Sequence, residues 1–580
     1  MNPTRIAACV LAVAGPWMHK HTAENAATPL GEPILGQPTL YSLGVHWVIA
    51  GDANHDAEIG LAWRTANGEW RAGAPLRRVE AGARKDAKGG GSVQVPEGAQ
   101  LFAGSVLLLA PETDYELKLT LADADGGNHE SLLKARTIGE PTAARDATAF
   151  HVVPGNGGGD GTANDPFRGL QFAQAHAAPG TIFLLHAGTY PASFNIGKSG
   201  ETGRPIVWRA AGDGEAIIEG SGSAARLVSV DDKHDVWVEG LTIRGGGKGI
   251  AGNGAARIVV RNCRISGVEY GIVATRNDAD TMCGWFIADN LIEGPSTWPR
   301  TKGIESARGI QLTGEGHVVC FNRIRGFADA IDTFQSQRCA DIDFHNNEIS
   351  EMTDDGIELD YAERNVRCFF NRLTNVFQGI STQPVLGGPV YVFRNALYNV
   401  VGEPFKMHSN PSGALFFHNT SVKAGPPFLI YSSEPVRHAM TRNNLFIGTG
   451  GAIAFESTAK MRECDFDFDG VGGGEWQQFL KWNGARYHTA AEARAKAPAW
   501  KHAVVVDPAA LFASGVRAPA DEHAAQQPAD LRLKEPNAAI DAGQPLPGLN
   551  DGFAGAAPDL GAYEFGAALP HYGPRTLPTR

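Results

Sequence analysis

Residues 341–408 read DIDFHNNEISEMTDDGIELDYAERNVRCFFNRLTNVFQGISTQPVLGGPVYVFRNALYNVVGEPFKMH. Three similar segments in this stretch carry an asparagine after an apolar run, at Asn347, Asn371 and Asn395, with 24 residues from each to the next. The residues between them are rich in β-branched and aromatic types and show no helical period. A repeat of this length predicts a solenoid in which each repeat supplies the strands of one coil.

The repeat continues on both sides of this stretch. Aligned asparagines are Asn262, Asn290, Asn322, Asn347, Asn371, Asn395, Asn419 and Asn444, and Gly240 takes the position in the first repeat. Stacked at one turn of every coil, their amides would bond the backbone of neighbouring coils, so we interpret them as structural. The longer spacings of 28 residues (262 to 290) and 32 residues (290 to 322) predict insertions near Thr275–Cys283 and Pro295–Ser306.

The chain before the repeat has a different pattern. Residues 36–138 alternate apolar and polar residues in short runs between Gly, Asp and Asn, which predicts an antiparallel sandwich. Within it, LAPETDYELKL at Leu109–Leu119 resembles the fibronectin type III pattern. The resemblance implies that Tyr115 is the corner tyrosine and Trp63 the core tryptophan.

The remaining boundaries follow from local signals. Residues 1–30 are assigned to a signal peptide and linker, because Arg5 precedes a short apolar run at Ile6–Met18. Residues 150–565 are assigned to the solenoid and 566–580 to a C-terminal tail. Gly155–Tyr190 resembles the opening cap of pectate-lyase-like β-helices, with Leu170–Ala177 as the covering helix. The late runs LRLKEPNAAIDAG and PDLGAYEFG are expected to be closing strands of the same solenoid.

The fold class expected is therefore all-β: a right-handed single-stranded parallel β-helix preceded by a small β-sandwich. The net charge of −12 gives no global basic field for nucleic acid. The N-terminal apolar run is too short to span a bilayer. We expect a secreted or periplasmic monomer that does not insert into a membrane and whose partner is a polysaccharide.

A second strand follows each asparagine by nine or ten residues where the repeat is regular. Period-2 alternation turns one apolar residue of each strand inward, as at Ile331, Ile357, Ile380 and Phe405. The polar residues around these positions share one outer face. Those that we single out are Arg308, Asp329, Asp332, Asp355, Glu358, Asp360, Gln383, Lys406, His408 and Tyr431.

Five carboxylates crowd two of these coils, since neighbouring coils lie about 4.8 Å apart. They are Asp329, Asp332, Asp355, Glu358 and Asp360. Carboxylates this close repel one another unless they are protonated or neutralised, and a set of oxygen ligands suits Ca²⁺. The alternative is a sheet face that is charged for solubility.

The runs TDDGIELD at Thr353–Asp360 and FKMH at Phe405–His408 resemble family 9 pectate lyases, β-helices with an Asp-Asp-Gly-x-Asp calcium motif and a catalytic lysine in a Phe-Lys-Leu-Gly strand. The resemblance implies that Asp354, Asp355 and Glu358 bind calcium and that Lys406 is the base. Asp329 or Asp332 would complete the ligand set. Here Glu358 replaces an Asp, Met407 and His408 differ from the motif, and the lysine lies two coils beyond the acids.

These assignments predict calcium-assisted β-elimination on an acidic polysaccharide, with a cation neutralising the developing enolate and an amine removing the C5 proton. Arg308 or Arg394 would hold a substrate carboxylate. Asp360, Gln383 and Tyr431 would contact other parts of the substrate. His408 is either a groove-wall residue or a reserve acid/base, and Lys406 is alternatively a salt-bridge partner of Glu403 or Glu358.

Two other classes of function remain open on the sequence. A glycoside hydrolase would need two carboxylates, about 5–5.5 Å apart for retention or 6.5–9.5 Å for inversion. Asp332 with Glu358 would suit the first spacing and Asp332 with Asp360 the second. The third class is a non-catalytic glycan-binding protein of the cell surface, since solenoids host all three.

Overall fold

The computed structural model describes residues 25–85, 92–220, 225–275, 282–301, 303, 305–333 and 338–575. Two antiparallel sheets at the N-terminus are followed by a right-handed parallel β-helix of about 11 turns. The predicted all-β class is confirmed. Among the described residues the helices are limited to Ala81–Lys85, Leu170–Ala173 with a 3₁₀ turn at Gln174–His176, and Ala490–Lys496.

The N-terminal module is built from two sheets that share one apolar core. The first contains strands Thr28–Pro29, Ile34–Leu35, Leu43–Ala50, Arg77–Val79 and Gln100–Val106; the second contains Glu58–Thr65, Arg71–Ala72, Asp114–Ala122 and His129–Arg136. Ala27 is fully buried in this core, so the chain enters the module earlier than the boundary at residue 30 predicts. Residues 1–24 of the segment assigned to the signal peptide and linker (1–30) lie outside the described residues.

Tyr115 has the position expected of a corner tyrosine, because its hydroxyl accepts a 2.9 Å hydrogen bond from the backbone N–H of Ala110. The core tryptophan differs from the prediction. Trp47 is buried and donates to the Gly31 carbonyl, whereas Trp63 is partly exposed and packs edge-on against Tyr115.

The β-helix has two long sheets in which successive coils pair in parallel. The first sheet contains Thr148–Val153, Phe167–Arg168, Thr181–Leu185, Ile206–Ala210, Val236–Glu239, Val259–Arg261, Phe286–Ala288, Val318–Cys320, Asp343–His345, Val366–Phe369, Leu386–Phe393, Ser412–Phe417, Val436–Arg437, Met440–Arg442, Met461–Arg462 and Asp465–Phe466. The second contains Gly188–Pro191, Phe194–Asn195, Ala216–Glu219, Arg226–Ser229, Thr242–Ala251, Arg264–Ala274, Leu291–Glu293, Arg308–Leu312, Arg323–Arg325, Asp329–Thr333, Glu348–Glu358, Arg372–Ser381, Ala396–Val400, Phe405–Lys406, Thr420–Val422, Leu445–Ile447, Gly470–Gly472 and Val504–Val505. Smaller sheets hold Gly314–Glu315 with Cys339–Ala340, and Phe428–Ile430 with Gly451–Ser457, Trp476–Trp482 and Ala485–Tyr487.

The asparagine ladder is confirmed at the turn between the two sheets. In each step one amide oxygen accepts from the backbone N–H and the side-chain amide of the preceding coil, as Asn371 does from Asn347 at 3.0 and 2.9 Å. The ladder runs through Asn290, Asn322, Asn347, Asn371, Asn395, Asn419 and Asn444. Asp469 ends it by accepting both bonds from Asn444.

The first steps of the predicted ladder were misaligned by one residue. Asn290 accepts from the backbone N–H of Cys263, so Cys263 holds the ladder position in that coil. Asn262 precedes it in the left-handed conformation (φ 57°), which asparagine tolerates better than most residues. Strand register places Leu241, and not Gly240, in the coil before.

The predicted cap is confirmed in outline, since Leu170–Ala173 is a helix with Leu170 and Ala173 packed on the β-helix core. The C-terminal prediction is wrong: Val504–Val505 is the last strand in the described chain, and the runs at 531–543 and 558–566 add no coil. Their apolar residues, with Tyr572, pack instead on the outer face of the second sheet. The tail beyond residue 566 is fixed as far as Arg575, which pairs with Asp289.

The N-terminal module docks on the outer face of the first sheet. Asp343 and Arg367 form a fully buried ion pair there, and Thr39 of the module donates to Asp343 at 2.6 Å. The predicted acids lie on strands of the second sheet, which forms a different face of the β-helix. No helix in the described residues is long and apolar enough to span a membrane.

Candidate functional site

Strand register aligns the predicted residues in columns. The inward column is fully buried and contains Ile272, Ile310, Ile331, Ile357, Ile380 and Phe405. The outward column beside it contains Val273, Gln311, Asp332, Glu358, Ser381 and Lys406. The alternation deduced from the sequence therefore places Asp332, Glu358 and Lys406 in one outward column, as expected.

The structure brings five carboxylates together, and we call Asp329, Asp332, Asp355, Glu358 and Asp360 the acidic site. Four are buried, with Asp329 and Asp355 only 1% exposed; Glu358 is partly exposed. Burying a carboxylate is costly unless it is paired or neutralised. A cluster of this kind on a stable coil is therefore not explained by solubility.

Two cations reach the acidic site from opposite ends. The Arg308 Nε lies 2.7 Å from Asp329 Oδ2 and 3.4 Å from Asp332 Oδ2. The Lys406 Nζ donates to Asp355 Oδ2 at 2.7 Å. Two positive charges thus face five carboxyl groups, so protons or a further cation must neutralise the remainder.

Neutral donors hold the carboxylates in place. The backbone N–H of Asp355 donates to Asp329 Oδ1 at 2.7 Å, which ties two coils together. Gln311 donates to Asp332 at 2.7 Å. Asp360 is the best satisfied, because the Ser381 hydroxyl and the Gln383 backbone N–H both donate to its Oδ1. Asp360, predicted as a substrate ligand, is thus already engaged, whereas the side-chain oxygen of Gln383 is buried with no hydrogen-bond partner among the described residues.

Burial raises the pKa of every acid in the site, and repulsion from neighbouring carboxylates adds to this rise at Asp329, Asp355 and Glu358. Burial raises the pKa of Asp355 to about 7, against the opposing effect of Lys406. Burial raises the pKa of Glu358 to about 12, helped by Asp360 and Asp332. The pKa of Asp360 rises to about 6 through burial.

The pKa of Lys406 is raised as well, which keeps its amine charged. Burial works to lower its pKa, but the charges of Asp355 and Asp360 outweigh burial and raise the pKa above that of an ordinary lysine. In the structure as it stands, Lys406 is therefore a protonated amine in an ion pair. The ion-pair alternative raised by the sequence holds, with Asp355 as the partner in place of Glu403 or Glu358.

Three carboxylates fit a divalent cation. Oxygens of Asp329, Asp355 and Glu358 lie within 4.8 Å of one another. Asp355 Oδ1 is buried and has no hydrogen-bond partner among the described residues, which is the condition of an acceptor awaiting a ligand. Asp354 does not join them, because it pairs with Arg300 at 3.2 Å; its predicted role as a ligand is not supported by this placement.

Two predicted residues lie at the C-terminal end of the site. His408 Nε2 is 2.8 Å from Glu403 Oε1, and Glu403 also accepts from the backbone N–H of Tyr431. The Tyr431 ring is 44% exposed, and its hydroxyl is 3.2 Å from Glu456. Within the described part of the chain, the His408 ring is engaged by Glu403 and not by the carboxylates of the acidic site.

Arg394 is not in the groove. It directly precedes Asn395 of the ladder, with φ 54°, and its guanidinium pairs with Glu564 and bonds the Ala562 carbonyl. The sequence placed it in the substrate groove as an alternative to Arg308, and the structure assigns it to the turn between the sheets. Arg308 is the arginine that remains in the groove.

Sequence reasoning missed Arg300. It lies in the insertion predicted near Pro295–Ser306, pairs with Asp354, and stacks 3.3 Å from the Phe377 ring centroid. Arg300 therefore lies against the strands that carry the acids. The 32-residue spacing predicted an insertion, but spacing alone could not show which strands the insertion contacts.

A family model and a curated relative each match part of this chain. Residues 217–383, which include the acidic site, match the family described as "Right handed beta helix region". A stretch of 101 residues is 35% identical to the uncharacterized protein YwoF of Bacillus subtilis (strain 168). That stretch is 16% of this chain, and the chain spans 22% of the length of that relative.

Two solved structures are distantly similar. XylC, in a complex with xylose, has a TM-score of 0.42 at 11% identity, over 57% of this chain and 84% of XylC. An alginate lyase from Paenibacillus sp. str. FPU-7 has a TM-score of 0.32 at 17% identity, over 51% of this chain and 94% of the lyase. Similarity this low carries no activity across, so function has to be argued from the site.

Proposed function

We propose that this protein is a polysaccharide-cleaving enzyme whose active site is the acidic site. The reaction that its geometry supports best is cation-assisted β-elimination on an acidic polysaccharide. The observation that carries the proposal is the trio Asp329, Asp355 and Glu358, with the buried and unpartnered Asp355 Oδ1 beside the Lys406 amine. This site therefore combines excess negative charge, oxygen ligands and an amine.

The trio would hold the cation, and Ca²⁺ suits an oxygen-only ligand set. When bound, the ion would neutralise charge that develops on the carboxylate of a uronate. Elimination breaks the bond between C5 and its proton, and the glycosidic oxygen at C4 leaves with the electron pair. The protein must therefore supply a proton acceptor at C5.

We assign this role to Lys406. It can accept a proton only when its own pKa falls, and the charge of Asp355 that raises this pKa belongs to a proposed metal ligand. Occupation of that carboxylate would weaken its hold on the lysine. Arg308, whose side chain is 19% exposed, is proposed to orient a substrate carboxylate.

Hydrolysis is the second candidate, and one observation favours it. Burial raises the pKa of Glu358 to about 12, which would make it a proton donor at neutral pH, and strand register places Asp332 directly beside it on the preceding coil. A general acid with a raised pKa beside a second carboxylate is what a glycosidase requires. Hydrolysis gives no role to the Lys406 amine or to the unpartnered Asp355 Oδ1, which is why we rank it second.

Product analysis separates the two reactions. Uronate-containing and neutral polysaccharides would be incubated with the protein in calcium and in chelator. Elimination predicts products that absorb in the ultraviolet and form only with calcium. Reducing ends without this absorbance, formed equally in chelator, would establish hydrolysis instead. Secretion and a monomeric state remain proposals that accompany this function.

A further inference from the structure

A column of basic and aromatic residues leads to the acidic site from its N-terminal side. Strand register places Arg226, Lys248, Tyr270, Arg308 and Asp329 side by side on five successive coils. We call the first four residues the basic column. It ends where the acidic site begins, because Arg308 both belongs to the column and pairs with Asp329.

The middle of the basic column has the least compensated charge. The Lys248 Nζ lies 5.3 Å from the Tyr270 ring centroid, and no carboxylate of the described residues is within ion-pair distance of it. Arg226, at the far end, is paired with Asp231. Both Lys248 and Tyr270 are partly exposed. An accessible amine beside an aromatic ring can contact an anion and a sugar ring together.

The spacing of the column suits an extended chain of sugars. Coils rise about 4.8 Å each, so Lys248 and Arg308 are about 10 Å apart across two coils. A pyranose ring in an extended glycan advances by a length comparable with one coil. Charges on alternate sugars would therefore meet Lys248 and Arg308, with the intervening ring over Tyr270.

The distribution of charge also favours glycan binding on the N-terminal side of the acidic site. The protein carries a net charge of −12, and the acidic site by itself repels polyanions. The basic column supplies local attraction next to that site. An anionic chain entering the groove is therefore favoured over the coils before Asp329.

We propose that the basic column is the binding track for an anionic glycan, which lies along the β-helix axis with its reacting sugar at the acidic site. Lys248 contacts a carboxylate or sulfate group and Tyr270 supports a sugar ring. This inference rests on the proposed function for the position of the reacting sugar. It adds that substrate recognition extends N-terminally and depends on charge.

The test is affinity electrophoresis of the full chain in gels that contain polygalacturonate, dextran sulfate or neutral dextran. The anionic polymers should retard the protein and dextran should not. Lys248→Ala should weaken the interaction about tenfold, and Tyr270→Ala should weaken it as well. The control is Arg264→Ala, an exposed arginine on the strand of Tyr270 but in another column, which should behave as the wild type.

Retardation by polygalacturonate alone would identify carboxylates as the recognised anions, and retardation by dextran sulfate alone would identify sulfate esters. Equal retardation in dextran, or equal effects of Lys248→Ala and Arg264→Ala, would overturn the track. The proposed function fails separately: binding that depends on Lys248, with no cleavage of any polymer, would refute the enzyme and leave the track. Cleavage with no dependence on Lys248 would do the reverse.

Discussion

The asparagine ladder and the acidic site are both stacks of polar side chains on successive coils of one β-helix. In the ladder, each amide donates to and accepts from its neighbours, so identical residues satisfy one another. In the acidic site, neighbouring carboxylates are all acceptors and cannot pair without a proton or a cation. The ladder stabilises the fold, whereas the acidic site is held in place by the fold.

Two buried aspartates make the same contrast at single residues. Asp469 at the end of the ladder accepts from Asn444 twice and from Trp500, and burial raises its pKa to about 6. Asp355 has Lys406 on one oxygen and no hydrogen-bond partner on the other among the described residues. Burial is common to the two aspartates, and the unsatisfied oxygen of Asp355 is what distinguishes them.

The largest effect is expected at Lys406. If it is the base, Lys406→Ala should lower turnover about 10²–10⁴-fold, and Lys406→Arg should not restore it, because arginine stays protonated. Initial rates and melting temperatures of the folded variants would measure this. The control is Lys481→Ala, which removes a lysine that is also paired with a carboxylate, at 2.9 Å from Glu456.

The opposite pattern would make the acidic site a hydrolase site. In that case Glu358→Gln and Asp332→Asn would abolish turnover, and Lys406→Ala would only raise KM. The acidic site would still differ from the ladder, but its carboxylates would be neutralised by a shared proton and not by a cation.

A ladder substitution should act on stability instead. Asn371→Ala leaves the backbone N–H and amide of Asn347 without their acceptor and removes the bond to the Phe344 carbonyl. We expect the free energy of unfolding to fall by about 2–4 kcal/mol, measured by denaturant titration. Asn262→Gly is the control, since Asn262 lies outside the ladder in a left-handed conformation; an equal loss there would contradict the corrected alignment.

Calcium and pH should act together on the acidic site. The raised pKa values of Asp355 and Asp360 mean that the native state binds more protons than the unfolded state between about pH 4 and pH 7. Stability therefore falls as pH rises through this window. Calcium bound by the ionised form opposes the fall, by about 2.7 kcal/mol at 100 times its Kd.

Melting temperatures from pH 5 to pH 8 would show this coupling as a calcium-dependent increase that grows with pH. In Asp355→Asn the calcium-dependent increase should disappear. The part of the pH dependence that arises from Asp469 should remain, because its carboxylate is already satisfied. A calcium effect that is unchanged in Asp355→Asn would place the ion elsewhere.

The smallest effect is expected at Arg394. Arg394→Gln should cost about 1 kcal/mol of stability through the lost pairing with Glu564 and leave KM unchanged. Arg308→Gln should raise KM, since Arg308 lies in the groove. Comparing the KM values of the two variants checks that Arg394 lies outside the substrate groove and that Arg308 lies within it.

The sequence determined the coil and its faces. Each 24-residue repeat forms one coil, and each coil carries one asparagine at the same turn. The stacking of Asn347, Asn371 and Asn395 could therefore be deduced from the period. Alternation then placed Asp332, Glu358 and Lys406 on one outward column, because strand geometry allows two faces only. One-residue errors arose where Asn262 and Cys263 competed for the same turn.

The tertiary structure decided what these residues contact. Loop direction brought Arg300 to Asp354, and the turn before Asn395 turned Arg394 away from the groove. The C-terminal runs read as strands because they are apolar and turn-rich, yet they cover the second sheet from outside. Spacing along a chain fixes the coil to which a residue belongs, but the rotamer, the insertion and the packing of distant segments fix its partner. The pairing of Lys406 with Asp355 is such a case, because the two residues lie on different coils and their contact depends on how the side chains extend.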